Sequence, residues 1–149
     1  SAKQRIKMVE LAIAGNPAFT LNLLEMRRQG PSYSWLTVQE LHERLGAEAE
    51  LYFITGSDSI NDLPTWNHAK DLVAACHFIG AARPEVPFDE KLLLDSFGQE
   101  LRQHIHELQI PRMEISSTLI RQRVAGGKSI RYLVPEKVAD YIQKEGLYQ

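Results

Sequence analysis

The sequence holds one cysteine, Cys76, among 149 residues, so it forms no internal disulfide, and the disulfide framework of a small secreted scaffold is excluded. No apolar run approaches the roughly eighteen residues that span a bilayer, and the first residues do not read as a charged-then-apolar leader. An excess of either charge is also lacking. Seventeen Lys and Arg against nineteen Asp and Glu leave a net charge of −2, which offers no global basic field to nucleic acid or an anionic membrane. Repeats and low-complexity tracts are absent as well. These absences predict a cytoplasmic protein with neither a membrane nor a nucleic-acid partner, in which any anion site is local.

What is present is an ordinary globular composition, 44% hydrophobic and 24% charged, in a chain long enough to bury about two-thirds of its unfolded surface. Residues 5–14 place Ile6, Val9, Leu11, Ala12 and Ile13 near helical spacing before Gly15-Asn16-Pro17, which predicts a helix and a turn. Residues 19–24 alternate, which predicts a strand. Ser34 is read as the N-cap of a helix ending at Leu45. The compact apolar runs 51–55 and 76–82 predict strands buried on both faces, joined by a crossover helix over 66–75 in a βαβ rhythm. A helix over 88–104 follows, then an extended segment over 105–115 that Pro111 pushes towards an edge or bend. Ser116-Ser117-Thr118 cap a helix over 119–124 closed by Gly126-Gly127, and Pro135 opens another carrying Val138, Tyr141 and Ile142. The expected fold is a single α/β domain over 1–149: a mostly parallel sheet with its helices in 1–115, and a small C-terminal helical cap in 116–149.

The most informative stretch is Ile115-Ser116-Ser117-Thr118-Leu119-Ile120-Arg121. It places hydroxyls and free backbone amides at a strand-to-helix junction, where an anion binds. Arg121, about one turn into the helix, reaches such an anion with two parallel hydrogen bonds. A plain cap with a surface arginine is the other reading of the same residues.

This stretch resembles the ISSTxIR signature of the nucleotidylyltransferase superfamily. Ser129-Ile130-Arg131-Tyr132-Leu133-Val134-Pro135, with Val138, Tyr141-Ile142 and Leu147-Tyr148, resembles the tail of bacterial nicotinate-nucleotide adenylyltransferases. Glu25-Met26-Arg27-Arg28-Gln29-Gly30-Pro31-Ser32-Tyr33-Ser34 resembles that family's ExxRxGxSYT segment. Gly56-Ser57-Asp58 and Leu63-Pro64-Thr65-Trp66 resemble its GxD and LPxW elements. The resemblance implies a Rossmann-like nucleotidyltransferase fold and a transferase of NAD biosynthesis. Its reaction moves AMP from ATP to nicotinate mononucleotide, giving deamido-NAD and pyrophosphate, with Mg²⁺ accompanying ATP. It further implies that Ser116, Ser117, Thr118 and Arg121 hold ATP phosphates, with Arg121 the catalytic contributor. Gly56 and Asp58 would meet the adenosine ribose, Trp66 would stack on the pyridine ring, and Tyr33 and Ser34 would line the mononucleotide pocket. Read alone, Trp66 is a core filler, Asp58 a helix cap and Tyr33 a packing residue. His104 and His106 read as exposed strand histidines rather than metal ligands, and no metal set is expected.

The family's glycine-rich GxFDPxHxGH segment is not in this sequence, and His42, His68, His77, His104 and His106 show no HxGH spacing. The expectation is a chain that begins after the family's first strand and catalytic loop, exposes a strand edge and folds poorly alone. Leu36 stands where the family pattern is acidic, so polar support for that loop is expected to be missing. Asn67 replaces a second aromatic after Trp66, which leaves nicotinate and nicotinamide mononucleotide both open. The rivals are another adenylyl- or cytidylyltransferase of the superfamily and a catalytically inactive nucleotide-binding module. A homo-oligomer is left open.

Overall fold

The computed structural model describes all residues except 47, 83–85 and 112–113. In chain order its elements are α1 (Ala2–Ile13), α2 (Leu24–Arg27), α3 (Ser34–Leu45), β1 (Tyr52–Gly56), α4 (Ser57–Asp62), a 3-10 turn (Leu63–Thr65), α5 (Ala69–Ala75), β2 (His77–Ala82), α6 (Glu90–Arg102), β3 (Ile105–Gln109), α7 (Ser117–Ala125) and α8 (Glu136–Lys144). The chain divides into two compact units, Leu24–Arg112 and Ser1–Leu23 with Met113–Gln149. No helix among the described residues is long and apolar enough to cross a membrane.

The first unit is α/β. Its strands pair in the order β1-β2-β3, all parallel, with Phe53 opposite Phe78 and Phe78 opposite Ile105. Parallel neighbours need crossovers, which α4, the 3-10 turn and α5 provide between β1 and β2, and α6 between β2 and β3. Phe53, Phe78 and Ile105 share one sheet face by the two-residue alternation of strands. On that face they pack with Val38, Ile60, Leu63, Leu72, Val73, Leu93 and Phe97 from the helices. The expectation that β1 is buried on both faces is corrected. Tyr52 is 51% and Ile54 69% exposed, because the helices of this unit cover only the other face.

Gly80, in the middle strand, is there for space. A Cβ would lie 2.4 Å from Phe88 Cζ and 2.7 Å from Ile60 Cγ1, in a part of the core where Ile60 is fully buried. Gly80→Ala therefore overpacks the contact and is expected to lower stability by about 1–3 kcal/mol, read as a lower urea midpoint at an unchanged slope. Cys76 is buried in the same core. Its Sγ donates to the Leu72 carbonyl at 3.4 Å, and burial pushes the thiol up to about 12.

The second unit is helical. Ile120, Ile130, Val138 and Ile142 form its core, with Met8 and Leu11 of α1 packed against it. α1 thus belongs with the C-terminal helices and not with the sheet, where a division at 115/116 had put it. Its start is fixed by a capping box, in which Ser1 Oγ accepts from the Gln4 amide at 3.3 Å.

Other expectations shift for local reasons. Residues 19–23 form no strand and Leu24 opens α2, because the alternating pattern finds no neighbouring strand; Phe19 is left 60% exposed. The extended segment over 105–115 is a strand only to Gln109, and 112–113 lie outside the described residues. The crossover helix begins at Ala69, after Trp66 in extended conformation, and a short helix over Ser57–Asp62 precedes it unannounced. Ser34 is the first residue of α3 and not its cap. The cap is Tyr33, which makes no side-chain cap bond. Likewise Pro135 is the cap of α8, one position before its first turn.

Candidate functional site

β1 ends at Gly56, which is also the N-cap of α4 at φ −79° and ψ 160°. Any residue adopts that φ, and the atom nearest to an added Cβ belongs to the exposed Asp58 side chain. A Cβ there would lie 2.4 Å from Asp58 Oδ1, so the Asp58 carboxylate rests over the bare backbone of Gly56. Asp58 is exposed in the first turn of α4 and is not its cap, which removes the capping reading. Ser57, between them, was not singled out from the sequence. Its side chain is 1% exposed and its hydroxyl has no partner among the described residues. A buried unpaired hydroxyl costs about 1–3 kcal/mol, which makes such groups few in folded proteins. The signal for it was only its place between the two residues of the GxD element.

Trp66 follows the 3-10 turn, its amide bonded to the Leu63 carbonyl at 3.0 Å. Its half-buried ring stands edge-on to Phe53 (5.9 Å) and Phe78 (6.3 Å), both at 73°. The core reading of Trp66 therefore holds for part of the ring. Two residues on, His68 caps α5 at φ 53°, a left-handed conformation rare outside glycine. Its ring lies 5.9 Å from Trp35 at 25°, a stacked pair, and its Nδ1 is 3.0 Å from Asp71 Oδ2. Trp35 directly follows Ser34, so this stack brings the Tyr33-Ser34 segment and the Trp66 segment together. Tyr33 is exposed and Ser34 half-buried.

The polar support expected to be missing at Leu36 is present by another route. Arg28 donates from Nη1 to Thr37 Oγ1 at 2.7 Å, and from Nη2 to the Leu36 carbonyl at 3.0 Å and Glu40 Oε2 at 2.8 Å. The Leu36 backbone accepts the bond that an acidic side chain does not. The Arg28 hydrogen bond, with Arg44 beside it, holds the Glu40 carboxyl below the usual carboxylate range.

The second group of residues lies in the helical unit. Ser116 is the N-cap of α7, its Oγ accepting from the Leu119 amide at 3.1 Å, so that hydroxyl is engaged in the helix. Ser117 and Thr118 occupy the first turn and are exposed, as is Arg121. Arg121 Nη2 donates to Thr118 Oγ1 at 3.2 Å, which folds the guanidinium back over the start of the helix. The first amides of a helix have no intrahelical acceptor, so unpaired donors, two hydroxyls and a cation share one exposed turn. The same unit opens a cavity of about 950 Å³ at the other end of α7, lined by Lys128, Arg131, Tyr132, Glu136 and Asp140 among others. None of the residues expected to bind substrate lines it.

Three of the five histidines cluster at the sheet. His77 Nδ1 and His106 Nε2 lie 3.0 Å apart, and His77 also stacks on His104 at 4.7 Å. His104 Nδ1 is bonded to the Val73 carbonyl and half-buried, while His106 is exposed as expected. Burial, then His77, His104 and Arg102, pushes the His106 imidazole below its ordinary value. Among the described residues no three His, Cys, Asp or Glu side chains are placed to hold a metal ion.

A cytidylyltransferase-like family model matches residues 1–123. A probable nicotinate-nucleotide adenylyltransferase of Moorella thermoacetica is 44% identical over 99% of the chain, which spans 69% of that protein. Another, of Geobacillus thermodenitrificans, is 39% identical over 99% of the chain, which spans 62% of it. Two solved structures of Plasmodium falciparum nicotinic acid mononucleotide adenylyltransferase, complexed with APC and with NaAD, match 98% of the chain. Their TM-scores are 0.66 and 0.68, at 27% and 25% identity, and 75% and 73% of those chains are covered.

Proposed function

The chain belongs to the cytidylyltransferase-like family, among the nicotinate-nucleotide adenylyltransferases, and from that premise we propose that its protein transfers AMP from ATP to nicotinate mononucleotide. The observation that carries the reading is the first turn of α7, where Ser117, Thr118 and the folded-back Arg121 present donors and a positive charge together. That arrangement suits a polyphosphate, because helix N-terminal amides and a guanidinium both favour clustered negative charge.

In the proposed reaction a phosphate oxygen of the mononucleotide attacks the α-phosphorus of ATP in line. The new P–O bond forms as the bond to the β-phosphate oxygen breaks, and pyrophosphate leaves with the electron pair. Positioning and electrostatics supply the catalysis, and no covalent enzyme intermediate is required. Arg121 offsets the charge that grows on the leaving pyrophosphate. Asp58, lying over Gly56 with its carboxylate exposed, accepts from the ribose hydroxyls of ATP. Mg²⁺ accompanying ATP would be held largely by the substrate phosphates. When bound on ATP it neutralises phosphate charge.

Trp66 stacks on the pyridine in this reading. Trp66→Ala is expected to raise KM for the mononucleotide about tenfold or more, as loss of a base stack costs about 1–3 kcal/mol, with KM for ATP unchanged. Trp66→Phe, which keeps an aromatic plane against Phe53 and Phe78, separates stacking from core packing. The reading as a whole is tested by pyrophosphate release from the full-length protein with ATP, Mg²⁺ and either nicotinate or nicotinamide mononucleotide. Turnover with the nicotinate form supports it. No turnover with either, while ATP still binds, overturns it.

A further inference from the structure

We infer that Arg28 is a positioning residue that sets the start of α3, and with it Tyr33 and Ser34, for the mononucleotide. The inference rests on the reading that those two residues line the mononucleotide pocket. Its basis is how α3 begins. The helix has no side-chain cap, since Tyr33 at its N-cap makes no such bond. Its first two turns are instead gripped from outside by one guanidinium, which reaches the Leu36 carbonyl, Thr37 Oγ1 and Glu40 Oε2. Thr37 passes the connection on by donating to Glu25 Oε1 at 2.7 Å, and Glu40 Oε1 accepts from Arg44 at 2.5 Å. The chain from α2 through Gly30, at φ 89°, to Tyr33 is thereby closed into a loop with both ends tied.

A cation at the first turn of a helix opposes the helix dipole, so helix stability alone would place an acid there. Arg28 sits there all the same, its side chain only 17% exposed and its charge offset by Glu40. What the arrangement secures is geometry, because a planar fork reaching three acceptors fixes direction as well as distance. From the other side Trp35 stacks on His68, just past Trp66. Tyr33 and Ser34 thus lie between these two contacts, in the segment that the Trp35–His68 stack ties to the residues just past Trp66. Preorganisation of this kind acts on binding the substrate that touches the segment.

The test uses the full-length protein with Arg28→Met and Arg28→Lys. Arg28→Met is expected to raise KM for nicotinate mononucleotide about tenfold, the loss of charge-assisted bonds, with kcat and KM for ATP unchanged, and Arg28→Lys to recover part of the loss. Hydrogen exchange at the amides of residues 33–37 is expected to speed up in the same order. A folded Arg28→Met with unchanged KM for the mononucleotide, or one that raises both KM values equally, overturns the inference. If Arg28→Met does not fold, Thr37→Val removes one of the three contacts, and an unchanged KM there is decisive against it. Failure of the functional reading is seen separately, in a parent protein that binds no mononucleotide, and the inference falls with it.

Discussion

Phe78→Ala is expected to lower stability by about 3–5 kcal/mol, the loss for an aromatic side chain removed from a packed core. Phe78 is fully buried on the middle strand, stacks on Phe53 at 5.2 Å and meets the edge of Trp66. Its removal opens a hole beside the Phe53 and Trp66 rings, both anchored by their own backbone. A domain of ordinary stability holds about 5–15 kcal/mol in all, so the variant is left with a small margin and a sharply lower urea midpoint. Phe19→Ala is the control. That ring is exposed, and its loss is expected to change stability by less than about 0.5 kcal/mol. Equal losses in the two variants would show that the sheet core is not where the structure places it.

Arg121→Ala is expected to lower kcat/KM with ATP about ten- to a hundredfold, as one charge-assisted interaction is worth about 1.5–3 kcal/mol. Among the described residues its guanidinium bonds to Thr118 Oγ1, and it is exposed, so the thermal midpoint is expected to stay within about 2 °C by the usual scaling for surface changes. Kinetics unchanged with ATP would remove Arg121 from the phosphate site. Arg121→Lys keeps the charge without the fork, and an intermediate loss would show that bidentate geometry matters as well as charge.

Much of this was written plainly in the residues. Two short apolar runs flanking a helical segment announced parallel strands, because a strand buried against helices reads as a continuous hydrophobic run. What such a run does not say is how many faces are covered, and Ile54 proved exposed because the helices of its unit lie on the Phe53 side. Alternation over 19–24 specified a face and not a partner, and a strand requires both. Ser57–Asp62 is too short for any period to show, so α4 went unseen. Within the candidate site, residue order in the motifs pointed to Tyr33, Asp58, Trp66 and Arg121 as the residues to examine. The support beneath them was illegible, since the Leu36 contribution is a backbone carbonyl and Ser57 matters through a burial that sequence does not encode.

The helical unit is assembled from the two extremes of the sequence, α1 at one and α7 and α8 at the other, while Leu24–Arg112 is continuous. Synthesis runs from the N-terminus, so α1 leaves the ribosome long before Val138 and Ile142 exist to bury Met8 and Leu11. The buried cluster of the sheet unit runs from Val38 to Ile105, so its side chains have all been made before α7 begins. The turn bearing Arg121 lies in that helical unit, so its surroundings are complete only once residues 113–149 have been made.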